Sequence, residues 1–243
     1  MNPRAAHPPQ PAGTYTVAQG QLLTQQSSTA GIGDLLIAAD YITRLFDANQ
    51  IPFAFMGGFS VNVRGSQRET HDVDVAVGCD MHKLLMAVST QPDRLLRPLG
   101  PVSGVMRIFI KGENEDGLSS PYVMVDLILR GSLGAPDHLE TESEDVKAGP
   151  DLGDRPFRLI NLPSLLQSKL GAFFGRSADN DMADIIFLIL RYPEEVYNAR
   201  AALNQEHRQH FINKLAVTRD VPKSQMNKAR HALGIPGPAL LTR

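Results

Sequence analysis

Apolar and polar residues alternate along the chain with two distinct periods, which predict helices and strands in turn. The segment DLLIAADYITRLFDANQ, from Asp34, carries an apolar stripe with helical spacing and predicts an amphipathic helix with Asp34 as its N-cap. PFAFMGG predicts a short strand that ends in a glycine turn, FSVNVRG a short helix, and HDVDVAVG, with its period of two, a second strand. The local unit is therefore strand, turn, short helix, strand.

Later segments complete a mixed α/β half and a helical half. VMRIFIKG and PYVMVDLILRG predict an antiparallel hairpin, and FRLINL predicts a last strand. From Leu162 the helical period takes over in three successive segments, LPSLLQSKLGAFFG, ADNDMADIIFLILRY and PEEVYNARAALNQEHRQHFINKLAV. Residues 1–30, rich in Pro, Gln, Ser, Thr and Ala, predict a disordered arm. We therefore expect an α+β fold with an arm at 1–30, a mixed β-sheet domain at 31–160 and a helical region at 161–243.

Composition and charge narrow the class of protein. The 243 residues are 42% hydrophobic, and 24 Lys and Arg residues nearly balance 26 Asp and Glu residues, giving a formal charge of −2. A long nucleic acid is not the expected partner, because its binding needs a broad basic surface. The single cysteine cannot form an internal disulfide, and the first 30 residues lack a secretory pattern, so a cytoplasmic location is expected. The run DIIFLILRY is much shorter than the roughly 20 apolar residues of a membrane span.

Two carboxylates one residue apart are the first candidate for chemistry. Residues two apart on a strand share a face, so Asp72 and Asp74 project together, while Val73 and Val75 face the opposite side. Carboxylates that close raise each other's pKa unless a cation lies between them, and Mg²⁺ prefers such oxygen ligands. The alternative is the solvated face of an edge strand.

The surroundings of this pair add to the metal-site interpretation. Gly57 and Gly58 precede a short helix, where backbone N–H groups can approach an anion closely; the alternative is a tight turn. Asp126 lies inside the apolar strand YVMVDLILRG, and a carboxylate buried there is costly unless it is paired or coordinated.

These residues resemble the signature of the nucleotidyltransferase superfamily related to DNA polymerase beta. That signature is an apolar strand, Gly-Gly, Asp-x-Asp and a carboxylate on a later strand, matched here by Gly57, Gly58, Asp72, Asp74 and Asp126. The segment GGFSVNVRGSQRETHDVDVAV looks most like the small lincosamide-type antibiotic adenylyltransferases and the toxin-type nucleotidyltransferases. Unlike the lincosamide type, the chain has Phe59 after the glycines and no Trp anywhere.

The resemblance implies a fold and a set of site residues. The fold would be a nucleotidyltransferase-like mixed β-sheet flanked by helices. Two Mg²⁺ ions would be held by Asp72, Asp74 and Asp126, with Asp126 as general base or as ligand only. The triphosphate of ATP or another NTP would contact the backbone at Gly57, Gly58, Phe59 and Ser60, and also the Ser60 hydroxyl, for which a helix N-cap is the alternative.

Two cations complete the implied nucleotide site. Arg68 is expected to contact the phosphates or to form a structural ion pair, and Lys169 either binds the triphosphate or is a solvated side chain on a helix face. Arg176 and Asp181 are weaker candidates, since each is also explained as a helix-terminal residue.

The resemblance also implies an activity, which is transfer of a nucleoside monophosphate, most simply AMP, to a hydroxyl of a small molecule. Three alternatives stay open: a toxin-type enzyme that modifies protein or tRNA, a non-catalytic nucleotide-binding protein of the same fold, and a purely structural role for these residues. Whether the chain forms a homodimer is also open.

Overall fold

A single mixed sheet organises the computed structural model, which describes residues 10–112, 121–219 and 221–237. Its eight strands lie in the order β1-β4-β5-β6-β3-β2-β8-β7. The strands are β1 (Thr14–Tyr15), β2 (Phe53–Met56), β3 (Asp72–Val77), β4 (Leu95–Pro98), β5 (Val105–Lys111), β6 (Tyr122–Leu129), β7 (Ser143–Lys147) and β8 (Pro156–Ile160).

Helices cover both faces of this sheet. They are α1 (Val17–Ser27), α2 (Ile32–Ala48), α3 (Gly57–Val63), α4 (Met81–Ser89), α5 (Leu139–Glu142), α6 (Leu162–Arg176), α7 (Asp179–Arg191), α8 (Pro193–Ala199), α9 (Gln205–Val217) and α10 (Lys223–Leu233). One hydrophobic core lies between the sheet and α2 and α4, and a second lies between the opposite face and the C-terminal helices α6 to α10. No helix in the described ranges has the length and apolar character needed to cross a membrane.

Strand β3 places apolar side chains on one face of the sheet and carboxylates on the other. Val73, Val75 and Val77 are fully buried in the first core. By strand alternation, Asp72 and Asp74 face the other side, where the C-terminal helices pack. β3 pairs with β6 in parallel register, so that Asp74 lies opposite Asp126.

Most of the expected elements are present. The α+β class is confirmed, as are the helix α2, the unit β2, α3 and β3, and the antiparallel pairing of β5 with β6, although residues 113–120 between them lie outside the described ranges. The N-cap of α2 is Gly31 rather than Asp34, whose carboxylate instead accepts the Gly31 N–H from the third helical position. The last expected helix is divided into α8 and α9, because Asn204 caps the start of α9 by accepting the His207 N–H.

The disordered arm expected at residues 1–30 is wrong for its second part, while residues 1–9 lie outside the described ranges. Residues 14–15 pair with β4, and α1 begins at a capping box in which Thr16 and Gln19 exchange hydrogen bonds. Tyr15 and Leu23 pack against Phe109. A few well-placed apolar residues and one cap thus order a segment whose average composition is polar.

The C-terminal tail and the acidic connection after Gly131 also contain structure that the sequence did not predict. The tail forms α10, and β7 pairs with β8 at the sheet edge within the acidic connection. The expected boundary between residues 160 and 161 falls at the junction of β8 and α6, across which sheet and helices share the second core.

Candidate functional site

A cleft of about 1050 Å³ opens between the carboxylate face of the sheet and helix α6. Asp72, Asp74 and Asp126 all line this cleft. Their convergence follows from the parallel pairing of β3 with β6, which sets the second and third carboxylates side by side. With Arg107, which also lines the cleft, these three residues are called the carboxylate floor below.

The two glycines allow the chain to pass directly over the carboxylate floor. Gly57 has a φ of +64°, and a Cβ at this position would lie 1.8 Å from Asp74 Oδ2. A Cβ at Gly58 would lie 2.6 Å from the Thr70 hydroxyl and 2.8 Å from Arg68 Nη2. Both glycines are therefore required by close approach, and both line the cleft.

The next two residues of the turn do not present side chains to the cleft. The ring of Phe59 is fully buried against Phe55 and Phe157. The Ser60 hydroxyl is also buried, and it donates to the Gly57 carbonyl over 3.0 Å instead of acting as the N-cap. The expectation that the Ser60 hydroxyl binds phosphate is therefore corrected, because the short helix already uses that hydroxyl internally.

Arg107 holds the third carboxylate. Its Nε and Nη2 each donate to one oxygen of Asp126 over 2.8 Å, a bidentate arrangement between residues that face each other on β5 and β6. The pKa of Arg107 is raised by this hydrogen bonding. The strand position of Arg107 is fixed in turn by Tyr15, whose hydroxyl donates to the Arg107 carbonyl over 2.9 Å.

The carboxylate floor carries more negative charge than Arg107 can balance. The pKa of Asp74 rises to about 7, first through desolvation and then through the neighbouring charges of Asp72 and Asp126; Lys169 and Arg176 oppose this rise. Thr70 donates its hydroxyl to Asp72 over 3.0 Å, which holds that carboxylate in position. A cation at the floor would offset both the desolvation and the repulsion that raise the pKa of Asp74.

The opposite side of the cleft is a network of ion pairs on α6, α7 and the loop before β3. Lys169 is buried, and its Nζ lies 2.7 Å from Asp184 and 3.6 Å from Asp181. Arg68 donates Nε and Nη2 to the two oxygens of Asp184 over 2.7 and 3.1 Å. Arg176 pairs with Asp181 in the same network. The ion-pair wall is defined here as these five residues: Arg68, Lys169, Arg176, Asp181 and Asp184.

The ion-pair wall revises several sequence-based alternatives. Lys169 is not a solvated side chain on a helix face, since it is only 7% exposed. Arg68 does form a structural ion pair, and it lies beside Gly58 at the same time. Arg176 and Asp181 pair with each other through two hydrogen bonds of 2.6 and 2.9 Å, and Asp181 is buried, so neither is only a helix-terminal residue.

The donor set of the floor fits a divalent cation in part. Asp72 and Asp74 share a strand face, and the pKa of Asp74 is raised by desolvation and by the nearby charges of Asp72 and Asp126, both of which a bound cation would offset. Among the residues that the structure describes, however, no three His, Cys, Asp or Glu side chains form a ready group of metal ligands. Each oxygen of Asp126 accepts one hydrogen bond from Arg107, so a cation already lies beside this carboxylate.

Three contributors to the cleft were missed from the sequence. Arg107 is a charged residue inside the largely apolar strand VMRIFIK, and Asp184 lies in a helix with an apolar second half, where a buried carboxylate indicates a cation partner. Helix α1 supplies Thr24 and Ser28 to the cleft lining. Arg107 and Asp184 could have been identified from the sequence as charged residues in apolar runs. Helix α1 could not, because its segment is rich in polar residues.

Comparison with known proteins agrees with this architecture. No protein-family model matches the chain, and a search of curated proteins found no significant relative. Among solved structures, an antigenic nucleotidyltransferase-like protein from Paracoccidioides brasiliensis matches with a TM-score of 0.58 at 17% identity, over 82% of this chain and 94% of that protein.

A second solved structure is similar over nearly its full length. This is ANT(2'')-Ia, determined in complex with adenylyl-2''-tobramycin, which matches with a TM-score of 0.50 at 13% identity, over 73% of this chain and 98% of that protein. The mixed sheet, the glycine turn over paired aspartates and these similarities lead to one conclusion: the chain has the nucleotidyltransferase fold.

Proposed function

We propose that the protein is a Mg²⁺-dependent nucleotidyltransferase that moves a nucleoside monophosphate, AMP from ATP in the simplest case, onto a hydroxyl of a small molecule. The observation that carries this proposal is the placement of Asp72 and Asp74 at the floor of one cleft, directly beneath the glycine turn and opposite the buried Lys169. The fold shared with ANT(2'')-Ia, a protein determined with an adenylylated tobramycin, supports the reaction class.

The chemistry assigns each element of the cleft a task. The acceptor hydroxyl attacks the α-phosphorus, a bond from this phosphorus to the acceptor oxygen forms, and the bond to the pyrophosphate oxygen breaks. Mg²⁺ bound to Asp72 and Asp74, with Asp126 completing the ligand set, would neutralise the charge that develops on the phosphate oxygens. Released from Arg107, Asp126 is the carboxylate proposed to take the acceptor proton.

The nucleotide would lie between the glycine turn and the ion-pair wall. Backbone N–H groups at Gly57 and Gly58 would approach the phosphates, since no Cβ intervenes, and those of Phe59 and Ser60 would follow in the same turn. Lys169 and Arg68 would add positive charge from the side. The wall has three cations and two carboxylates, so one positive charge remains unbalanced and favours an anion.

The size of the cleft supports a second ligand beside the nucleotide. Pockets for a single drug-sized molecule are typically about 300–1,000 Å³, and this cleft reaches the top of that range. Thr24 of α1 and its C-cap residue Ser28 also line the cleft, and neither belongs to the ion-pair wall. Each donates its own hydrogen to a carbonyl of its helix, Thr24 to Gly20 and Ser28 to Gln25, so each would serve a polyhydroxylated acceptor as a neutral hydrogen-bond acceptor.

Calorimetric titration tests the proposal directly. The wild-type chain, titrated with ATP, GTP, CTP and UTP with and without Mg²⁺, should bind at least one nucleotide only when Mg²⁺ is present. The Asp72→Ala, Asp74→Ala double variant should lose this binding and keep its circular dichroism spectrum. Asp145→Ala, at an exposed carboxylate on the sheet edge, is the matched control and should bind as the wild type does.

Turnover then separates the enzyme from its main alternative. Transfer of label from [α-³²P]ATP to polyhydroxylated antibiotics, lost in the double variant, would establish the activity. Binding without transfer to any acceptor would favour a non-catalytic nucleotide-binding protein, an alternative supported by the engagement of Asp126 by Arg107. No binding by the folded wild type would refute the proposal.

A further inference from the structure

The pair of Arg107 and Asp126 has a geometry that the proposed reaction does not explain. The two residues are directly opposed on the antiparallel strands β5 and β6, and two parallel hydrogen bonds of 2.8 Å join them. Each Asp126 oxygen thus accepts one hydrogen bond from the guanidinium, and the positive charge beside both oxygens opposes the approach of a metal ion. The structure therefore gives the third carboxylate a resident cation of its own.

The two partners differ in how well they tolerate separation. The Arg107 side chain is 44% exposed, so its guanidinium can turn into solvent at small cost. The Asp126 side chain is only 16% exposed and shares the floor with two further carboxylates, so it needs a cation at all times. We therefore expect the Arg107 guanidinium to leave Asp126 when another cation replaces it, and not to leave the carboxylate without a cation.

The backbone on both sides of the pair is held in place. β5 and β6 are paired in continuous register from Val105 to Lys111, and the Tyr15 hydroxyl anchors the Arg107 carbonyl. Movement of the guanidinium consequently requires only side-chain rotation. No displacement of the sheet is needed.

We propose that Arg107 occupies the position of the second metal ion in the metal-free protein, and that this ion binds to Asp126 only in exchange for the Arg107 guanidinium. The proposal rests on the proposed function, since it concerns the same carboxylates. It makes Arg107 a positioning residue: while its two N–H groups and its positive charge are held against Asp126, that carboxylate binds a second cation only weakly. One ion at Asp72 and Asp74 should thus bind readily, and the second only weakly without nucleotide.

The experiment counts bound Mn²⁺ by electron paramagnetic resonance on the full chain, with and without α,β-methylene-ATP. The wild type should bind one ion per chain and a second at least tenfold more weakly. Arg107→Gln removes the competing charge, so the second ion should bind at least tenfold more tightly than in the wild type. Arg107→Lys, which keeps the charge but loses the fork, should lie between the two and serves as the readout if the glutamine variant does not fold.

Arg158→Gln is the matched control, because it also removes one arginine from a pair with an aspartate on a neighbouring strand, outside the cleft. It should leave both Mn²⁺ affinities unchanged. Two equally tight ions in the wild type, or an unchanged second affinity in the folded Arg107 variants, would overturn the exchange proposal alone. Absence of the first ion as well would overturn both this proposal and the proposed function.

Discussion

The carboxylate floor and the ion-pair wall face each other across one cleft, yet they balance their charges in opposite ways. The floor has three carboxylates and a single arginine, and desolvation together with the neighbouring negative charges raises the pKa of Asp74 to about 7. The wall has three cations around two buried carboxylates, all joined by contacts of 2.6 to 3.6 Å. The floor therefore lacks a cation, whereas the wall is nearly complete.

This difference indicates that the ion-pair wall mainly stabilises the fold, whereas the carboxylate floor is suited to bind a ligand. A buried carboxylate with two cation partners stabilises the arrangement of α6, α7 and the loop before β3 in the free protein. Carboxylates that repel one another cost stability until a cation arrives. Substitutions on the wall should thus change folding, and substitutions on the floor should change binding.

The largest effect is expected on the wall. Asp184→Asn removes a charge that Arg68 and Lys169 share, leaving the buried Lys169 and the partly exposed Arg68 without their main partner. The free energy of unfolding should fall by about 3 kcal/mol, measured by urea denaturation. Asp145→Asn, in an exposed pair with Arg158, should change it by less than about 1 kcal/mol. Equal effects of the two substitutions would contradict the structural role of the wall.

A substitution in the glycine turn above the carboxylate floor should weaken metal binding more than backbone strain alone explains. Gly57→Ala combines a φ of +64° with a Cβ placed 1.8 Å from Asp74 Oδ2, so Asp74 must move. We expect at least a tenfold loss of Mn²⁺ affinity at the Asp72 and Asp74 site. Gly65→Ala is the control, since Gly65 has a φ of +103° but no atom within 4 Å of the added Cβ. Comparable losses of metal affinity in both variants would argue against close approach as the cause.

A third effect concerns the pH dependence of the metal-free protein. Asp74 keeps its proton in the folded state up to about pH 7, whereas in the unfolded chain it ionises near the ordinary value of 3.8. Its contribution to stability is therefore lost as the pH rises from about 4 to 7. In EDTA, Asp74→Asn should match the wild type near pH 4 and exceed its Tm by a few degrees at pH 8. A constant difference in Tm across this range would refute the raised pKa of Asp74.

Much of the fold was predictable because the central strands and helices each have a clear hydrophobic period within a short segment of sequence. Strand alternation around Asp72 and Asp74 and the helical period of α2, α6 and α7 each lie within one continuous segment. Helix α1 was not predicted, since its order depends on Tyr15 and Leu23 packing against Phe109, far along the chain. A polar average composition concealed those few contacts.

The sequence by itself determined that two aspartates share a strand face and that a glycine turn precedes them, because both follow from local backbone geometry. Only the tertiary structure decided which cations these and the other carboxylates meet. Arg107 and Asp126 are 19 residues apart, and Arg68 and Asp184 are 116 residues apart. Strand pairing in the first case and helix packing against a loop in the second create these contacts, and neither arrangement leaves a periodic signal in the sequence.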